Sequence, residues 1–279
     1  MNPVQEWKKL QNSSFLYKAV KLDQEESYWK KYAVNYDIRR HQGKGIEEEL
    51  QIVLNLLTED MSVLEIGAGT GIFTKHIAKK VKRVTVVEPS PSMIRVMKDN
   101  LEQKGIKNVR IIQSNWEEAE VGLHDMVLAA GCLYVFYDID TALAKMIKKA
   151  KKLFVLTHGI NGCGNIYKEA AELTGMEPVL SGPDYVHLYN VLCHMGIYAN
   201  VNIIRSTGDI IYEDMDHAVN IWTERMGLIP LKEDKIQMLR GYLESRMKLL
   251  KSGRFSLGSY ERINSTIWYA FNDSNSGEA

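Results

Sequence analysis

The chain has 279 residues, 45% of them apolar, enough to bury one sizeable core and too few for two large domains unless one is an appendage. Lysine plus arginine equals aspartate plus glutamate at 35 each, so no global field draws a polyanion, which weighs against a nucleic-acid partner. Cys132, Cys163 and Cys193 are odd in number and widely spaced, matching neither a disulfide framework nor a paired metal knuckle. With no apolar leader at the N-terminus and no run of roughly 20 apolar residues, the expectation is a cytoplasmic protein without membrane or metal.

Residues 1–60 read as a helical cap. Tyr28, Trp29 and Tyr32 recur at helical spacing, as do Ile46, Leu50, Val53, Leu54 and Leu57 after a Gly43-Lys44-Gly45 break. From residue 62 short apolar runs alternate with amphipathic stretches, as in strands buried on both faces by crossover helices. Strands are expected at 62–66, 83–88, 109–113, 125–129 and 153–157. Between the second and third, Ser90 caps a helix with Pro91 at its first position, Met93, Ile94, Met97 and Leu101 on one face, and Gly105 as its stop. Asp138 or Asp140 caps another that buries Leu143, Met146 and Ile147, and Lys148-Lys149-Ala150-Lys151-Lys152 closes it with cations that offset the helix dipole.

Further on, 185–197 reads as a helix leading into a strand at 201–206, and the last strand is expected at 263–271. Residues 213–255 form a helical insertion with two stripes, Val219, Trp222 and Met226, then Met238, Leu239, Tyr242 and Met247. Such stripes more often pack a core than touch a ligand. The polar tail 272–279 is expected to fray. The fold expected is α/β: a doubly wound, mostly parallel seven-stranded sheet with helices on both faces over 61–279, and no internal repeat.

The most informative segment is Glu65-Ile66-Gly67-Ala68-Gly69-Thr70-Gly71-Ile72, a buried strand running into three alternate glycines at the carboxyl end of the sheet, where open α/β folds bind ligands. A dinucleotide turn needs a third glycine where Ile72 stands, and Glu65 would repel a pyrophosphate; both disfavour an NAD-dependent dehydrogenase. No lysine follows in a phosphate-cradle register. A ligand with a cationic centre suits Glu65 better. The second strand ends in Glu88-Pro89-Ser90, where a carboxylate can accept from both hydroxyls of a ribose. The third runs into Asn115-Trp116: Asn115 can face the amine of an adenine, with Trp116 or Met93 against the base.

These residues resemble the class I methyltransferase family, whose E/DxGxGxG loop, post-loop acid and third-strand acid or amide bind S-adenosylmethionine. The resemblance covers roughly residues 60–160; Asn115 departs from the family's more usual aspartate. It implies a cofactor site built from Glu65, Gly67, Ala68, Gly69, Thr70, Gly71, Glu88, Pro89, Met93, Asn115 and Trp116. Ala129, Ala130 and Leu133 follow from the fourth strand, with Tyr32 and Tyr36 from a covering N-terminal helix.

Methyl transfer from a sulfonium has a good leaving group, so alignment and exclusion of water can suffice and a base is optional. His158, directly after the fifth strand, is the candidate base, and Tyr134, Tyr137 and His187 are candidates for the acceptor pocket. The fourth strand lacks the Asn/Asp-Pro-Pro-Tyr sequence of enzymes that methylate DNA base amines. The expected reaction is methylation of a small molecule by a monomer or homodimer. Two alternatives stay open: methylation of arsenite or another soft metalloid held by Cys132, Cys163 and Cys193, and a non-catalytic cofactor-binding sensor or subunit.

Overall fold

The computed structural model describes residues 2–14, 17, 25–33, 36–37, 45–160, 164–175, 182–226 and 232–271; the breaker at Gly43 and Lys44, Cys163 and the tail 272–279 lie outside them. The described part of the N-terminal region includes the helices α1 (Pro3–Ser13), α2 (Glu25–Ala33) and α3 (Gly45–Asn55). Then β1 (Ser62–Ile66), α4 (Thr74–Ile77), β2 (Arg83–Val87), α5 (Pro91–Gln103), β3 (Val109–Ile112) and β4 (His124–Ala130) alternate. A short 3-10 turn (Leu133–Val135), α6 (Ile139–Lys149), β5 (Ala150–Ile160), α7 (Gly164–Thr174) and α8 (Tyr185–His194) follow. The chain closes with β6 (Asn200–Tyr212), α9 (Met215–Arg225), α10 (Glu233–Arg246), β7 (Lys248–Leu249) and β8 (Phe255–Ala270).

Seven strands form the sheet in the order β3-β2-β1-β4-β5-β8-β6, and the two-residue β7 joins β8 as an eighth among the described residues. The first five pair in parallel, whereas β8 runs antiparallel to both β5 and β6. The order reverses direction at β1, with β2 on one side and β4 on the other. The loop after β1 therefore opens into the crevice where such sheets bind ligands.

The period of two along each strand divides the core. Leu64, Ile66, Val127, Ala129, Phe154 and Leu156 face one layer with Trp7 of α1, Leu143 and Met146 of α6, and Leu188 and Leu192 of α8. Val63, Val84, Val86, Met126, Leu128 and Val155 face the other, under Val53 of α3, Ile77 of α4 and Met97 of α5. Helix α5 has the expected start, Ser90 accepting from the Met93 amide ahead of Pro91. Asp138 occupies the N-cap position of α6 without a side-chain capping bond and pairs instead with Lys8. Helix α1 is inserted into the core: Trp7 is fully buried and its indole donates to the Phe136 carbonyl at 2.8 Å.

The last strands exceed expectation. β6 and β8 pair from Asn200↔Trp268 to Tyr212↔Phe255. Glycine and aspartate at 208–209 read as strand breakers, but pairing with a neighbour overrides that weak preference. Between Asp209↔Ser259 and Ile211↔Ser256, β6 advances two residues and β8 three, so the extra residue is a bulge in β8, where Gly258 takes φ +101°. The far end of this arm carries the insertion, whose Trp222, Val219, Met226, Leu239 and Leu243 form a third core with Tyr212, Ala170 and Ala171. Met238, placed on that stripe from periodicity, is 40% exposed. Among the described residues no helix is long and apolar enough to cross a membrane.

Candidate cofactor and active site

Three glycines follow β1 with φ of +63° (Gly67), +58° (Gly69) and +79° (Gly71), a left-handed backbone that side chains resist. Their roles differ. A Cβ on Gly67 would lie 2.5 Å from the Cys132 Cβ, and one on Gly71 would lie 2.8 Å from the Met97 Cγ, so these two let the loop press on β4 and α5. A Cβ on Gly69 would meet nothing within 4 Å; that bend faces open space.

Two carboxyl groups border the bend. Glu65, the penultimate residue of β1, is 1% exposed and accepts from the Thr74 hydroxyl at 2.6 Å. Burial pushes its pKa up to about 8, against the Thr74 hydrogen bond and with help from the nearby Glu88 charge. Glu88, just past β2, accepts from the Gly69 amide at 2.8 Å and from the Ser90 amide at 3.0 Å, one on each oxygen, and so links the loop to the start of α5.

Glu65 and Glu88 belong to the wall of a cavity of about 340 Å³ at the carboxyl ends of β1, β2 and β4. Of the residues named from sequence, Gly67, Ala68, Gly69, Pro89, Met93, Asn115, Trp116, Ala130, Tyr36 and Tyr134 also line it. Trp29, Phe73, Glu117, Val135 and Phe136 line it as well and were missed. The signal available for Trp29 was its place in the aromatic run with Tyr36, whose ring it meets edge-on at 6.4 Å. Among the described residues, every charged residue of this wall is acidic. The indole of Trp116 donates to the Ala142 carbonyl at 3.1 Å and lies under the Lys145 ammonium, which fixes the ring.

Other expected site residues stand elsewhere. Thr70 donates to Asp37, and Gly71 packs on Met97, so both shape the loop without lining the cavity. Ala129 and Leu133 are fully buried in the core beside Trp7, because they point to the face of β4 and its following turn that α1 covers. Tyr137 stacks on Tyr17 with centroids 5.2 Å apart, and His187 closes a capping box with Asp184 at the start of α8, Nδ1 to Oδ1 2.6 Å. His158 is buried with Nε2 2.8 Å from the Pro183 carbonyl, and burial holds its pKa below the ordinary value. A carbonyl only accepts, so Nε2 carries the proton of the neutral ring and is committed away from the cavity. The Tyr32 side chain lies outside the described residues.

Cys132 lines the cavity, but its thiol donates to the Ile66 carbonyl at 3.1 Å, and burial followed by the charges of Glu88 and Glu65 pushes its pKa far up. Cys193 is on α8 and is not among the lining residues.

The N-terminal segment is tied over this cavity by polar contacts that sequence reading did not anticipate. Glu26 of α2 accepts from the Ser90 hydroxyl at 2.7 Å and the Ser92 hydroxyl at 2.6 Å, at the start of α5. Asp37 accepts from Thr70 and, at 3.0 Å, from Asn100, with the Lys75 ammonium at 3.5 Å.

Comparison with known proteins agrees with this geometry. Residues 63–153 match the model of a family described as "Methyltransferase domain". The chain is 26% identical over 205 residues to an uncharacterized protein of Haemophilus influenzae, covering 71% of this chain and 73% of that protein. It is 33% identical over 97 residues to a protein of Methanosarcina barkeri described as "Probable ribosomal RNA small subunit methyltransferase A", covering 34% of this chain and 32% of that one. The fold is shared with the YcgJ protein of Bacillus subtilis at a TM-score of 0.54 and 16% identity, over 81% of this chain and 99% of that chain. The matched segment, residues 63–153, contains the glycine loop, both acids beside it and the end of β4 that borders the cavity.

Proposed function

We propose that the chain is an S-adenosylmethionine-dependent methyltransferase that acts on a small molecule. The observation that carries this reading is a bend with open space at Gly69, bordered by two buried carboxyl groups in a cavity whose charged lining, among the described residues, is acidic. That set suits a ligand bearing a sulfonium and an ammonium and disfavours a diphosphate.

When bound, S-adenosylmethionine supplies a methyl group on a cationic sulfur that leaves readily as a neutral thioether. The chain's own residues hold and align. The two oxygens of Glu88 accept from ribose hydroxyls, Asn115 accepts from the adenine amine, and Met93 and Trp116 flank the base. Ionised Glu65 faces the cationic end across the loop. Ala130 and Gly131 keep the end of β4 thin, so that the acceptor can approach the methyl closely. Trp29, Tyr36, Tyr134 and Phe136 exclude water and form the wall from which the acceptor is reached. No general base is assigned, since His158 is committed to Pro183.

The acceptor reading rests on the aromatic side chains Trp29, Tyr36, Tyr134 and Phe136 in the wall and on a chain with no net charge. Residues 1–60 act as the cap of a catalytic unit spanning 61–279, in the cytoplasm. Incubation of the chain with a metabolite extract and donor labelled in its methyl group, followed by mass analysis, is expected to yield labelled small products. Label found only in RNA or protein would overturn the acceptor class, and no transfer together with no cofactor binding by calorimetry would overturn the whole reading.

A further inference from the structure

Strand β6 ends the sheet, and among the described residues its one pairing is to β8. Thirteen residues long, it carries none of the lysines or prolines that usually blunt an exposed edge. Alternate residues Ile203, Arg205, Thr207, Asp209 and Ile211 all face solvent on one side, with Ile203 and Ile211 37% and 36% exposed. The order on this face is apolar, cation, hydroxyl, anion, apolar.

We infer that this edge pairs with the same edge of a second copy of the chain, antiparallel and about a two-fold axis at Thr207. Read backwards, the row is its own complement. Ile203 then meets the partner's Ile211, Arg205 meets the partner's Asp209, and the two Thr207 side chains face each other. The other side of the strand matches as well, since Ile204 meets the partner's Ile210 and continues the buried face across the axis.

Neighbouring registers fail. A slip of a single residue in the pairing sets outward-pointing amides against inward-pointing ones and is forbidden. Centring on Ser206 puts Ile203 against the partner's Asp209, and centring on Gly208 puts Arg205 against the partner's Ile211. Centring on Arg205 or on Asp209 opposes like charges. Within each copy Arg205 already meets Glu261 at 3.0 Å, so the partner's Asp209 completes a row of three alternating charges on each side of the axis.

The test uses the full chain in sedimentation equilibrium. The wild type is expected to dimerise reversibly at about 100 µM, a concentration at which a micromolar interface is mostly assembled. Arg205→Asp and Asp209→Arg each oppose like charges twice across the axis, and each should weaken the dimer about tenfold or more. Mixed together, the two variants restore both contacts and should form a heterodimer, which neither a folding defect nor a general loss of charge explains. Thr207→Arg, at an exposed position on the axis, should be monomeric with an unchanged melting temperature. A monomeric wild type overturns the inference, as does a dimer indifferent to these changes or a mixture that fails to associate.

Discussion

Glu65 has a carboxyl group that burial keeps protonated to about pH 8, at the edge of a cavity proposed to take a cation. Ligand and proton then compete for the same group. Affinity for S-adenosylmethionine is expected to rise as pH climbs toward about 8, with a proton released on binding, detectable as a buffer-dependent heat in calorimetry. Glu65→Gln should remove both signals. The sign for stability is opposite. With a folded pKa above the ordinary 4.5, the free folded chain holds more protons than the unfolded one between 4.5 and about 8. This contribution is complete below that window and is lost as pH rises through it, so urea midpoints of wild type and Glu65→Gln should converge or cross across the window.

Residues around the bend separate binding from folding. Gly69→Val projects into open space from a left-handed position; it should lose cofactor affinity while costing only about 1–2 kcal/mol of stability in strain. Gly67→Val drives a side chain into Cys132 and should lower the yield of folded protein outright. Glu88→Ala removes the acceptor for the Gly69 and Ser90 amides as well as the proposed ribose contact, and should weaken binding by about 1.5–3 kcal/mol in calorimetry. An unchanged dissociation constant in that variant would end the ribose assignment.

The α2 helix owes its place over the cavity to contacts far apart in sequence. Glu26 reaches the first turn of α5, and Asp37 reaches the glycine loop through Thr70. Glu26→Ala is expected to speed cofactor release about three- to tenfold in stopped flow. The melting temperature should scarcely move, because such exposed contacts contribute about 1 kcal/mol or less. The helical periodicity of this region was legible; its staples were not, since a carboxylate on a polar helix face looks the same whether it meets water or a distant serine. Strand lengths at β6 and β8 were hidden for a related reason, as Gly208 and Gly258 mark breaks in a lone strand and become a continuation and a bulge once the partner is present.

Across the whole molecule, the parallel part of the sheet and the arm that ends in β6 and β8 have separate cores. Trp222, whose indole donates to the Tyr212 hydroxyl at 2.8 Å, anchors the second of these. Trp222→Ala should cost about 3–5 kcal/mol within the arm. Hydrogen exchange should then quicken at 215–246 and leave 62–160 protected, with cofactor affinity near that of the wild type. Equal loss of protection throughout would show one cooperative unit instead.

From sequence alone came the parallel sheet and its strand ends, the glycine bend, and the two acids beside it. All of these follow from local rules: alternating burial, positive φ, and the position where a strand stops. Only tertiary structure decided which way side chains near those ends point. Ala129 and Leu133 turn into the core and His158 toward Pro183, while Trp29 and Phe136 arrive at the cavity from other parts of the chain. The reason is that direction and partner at a strand end depend on which helix covers that face, and residues of different elements acquire a common neighbour only when the layers pack.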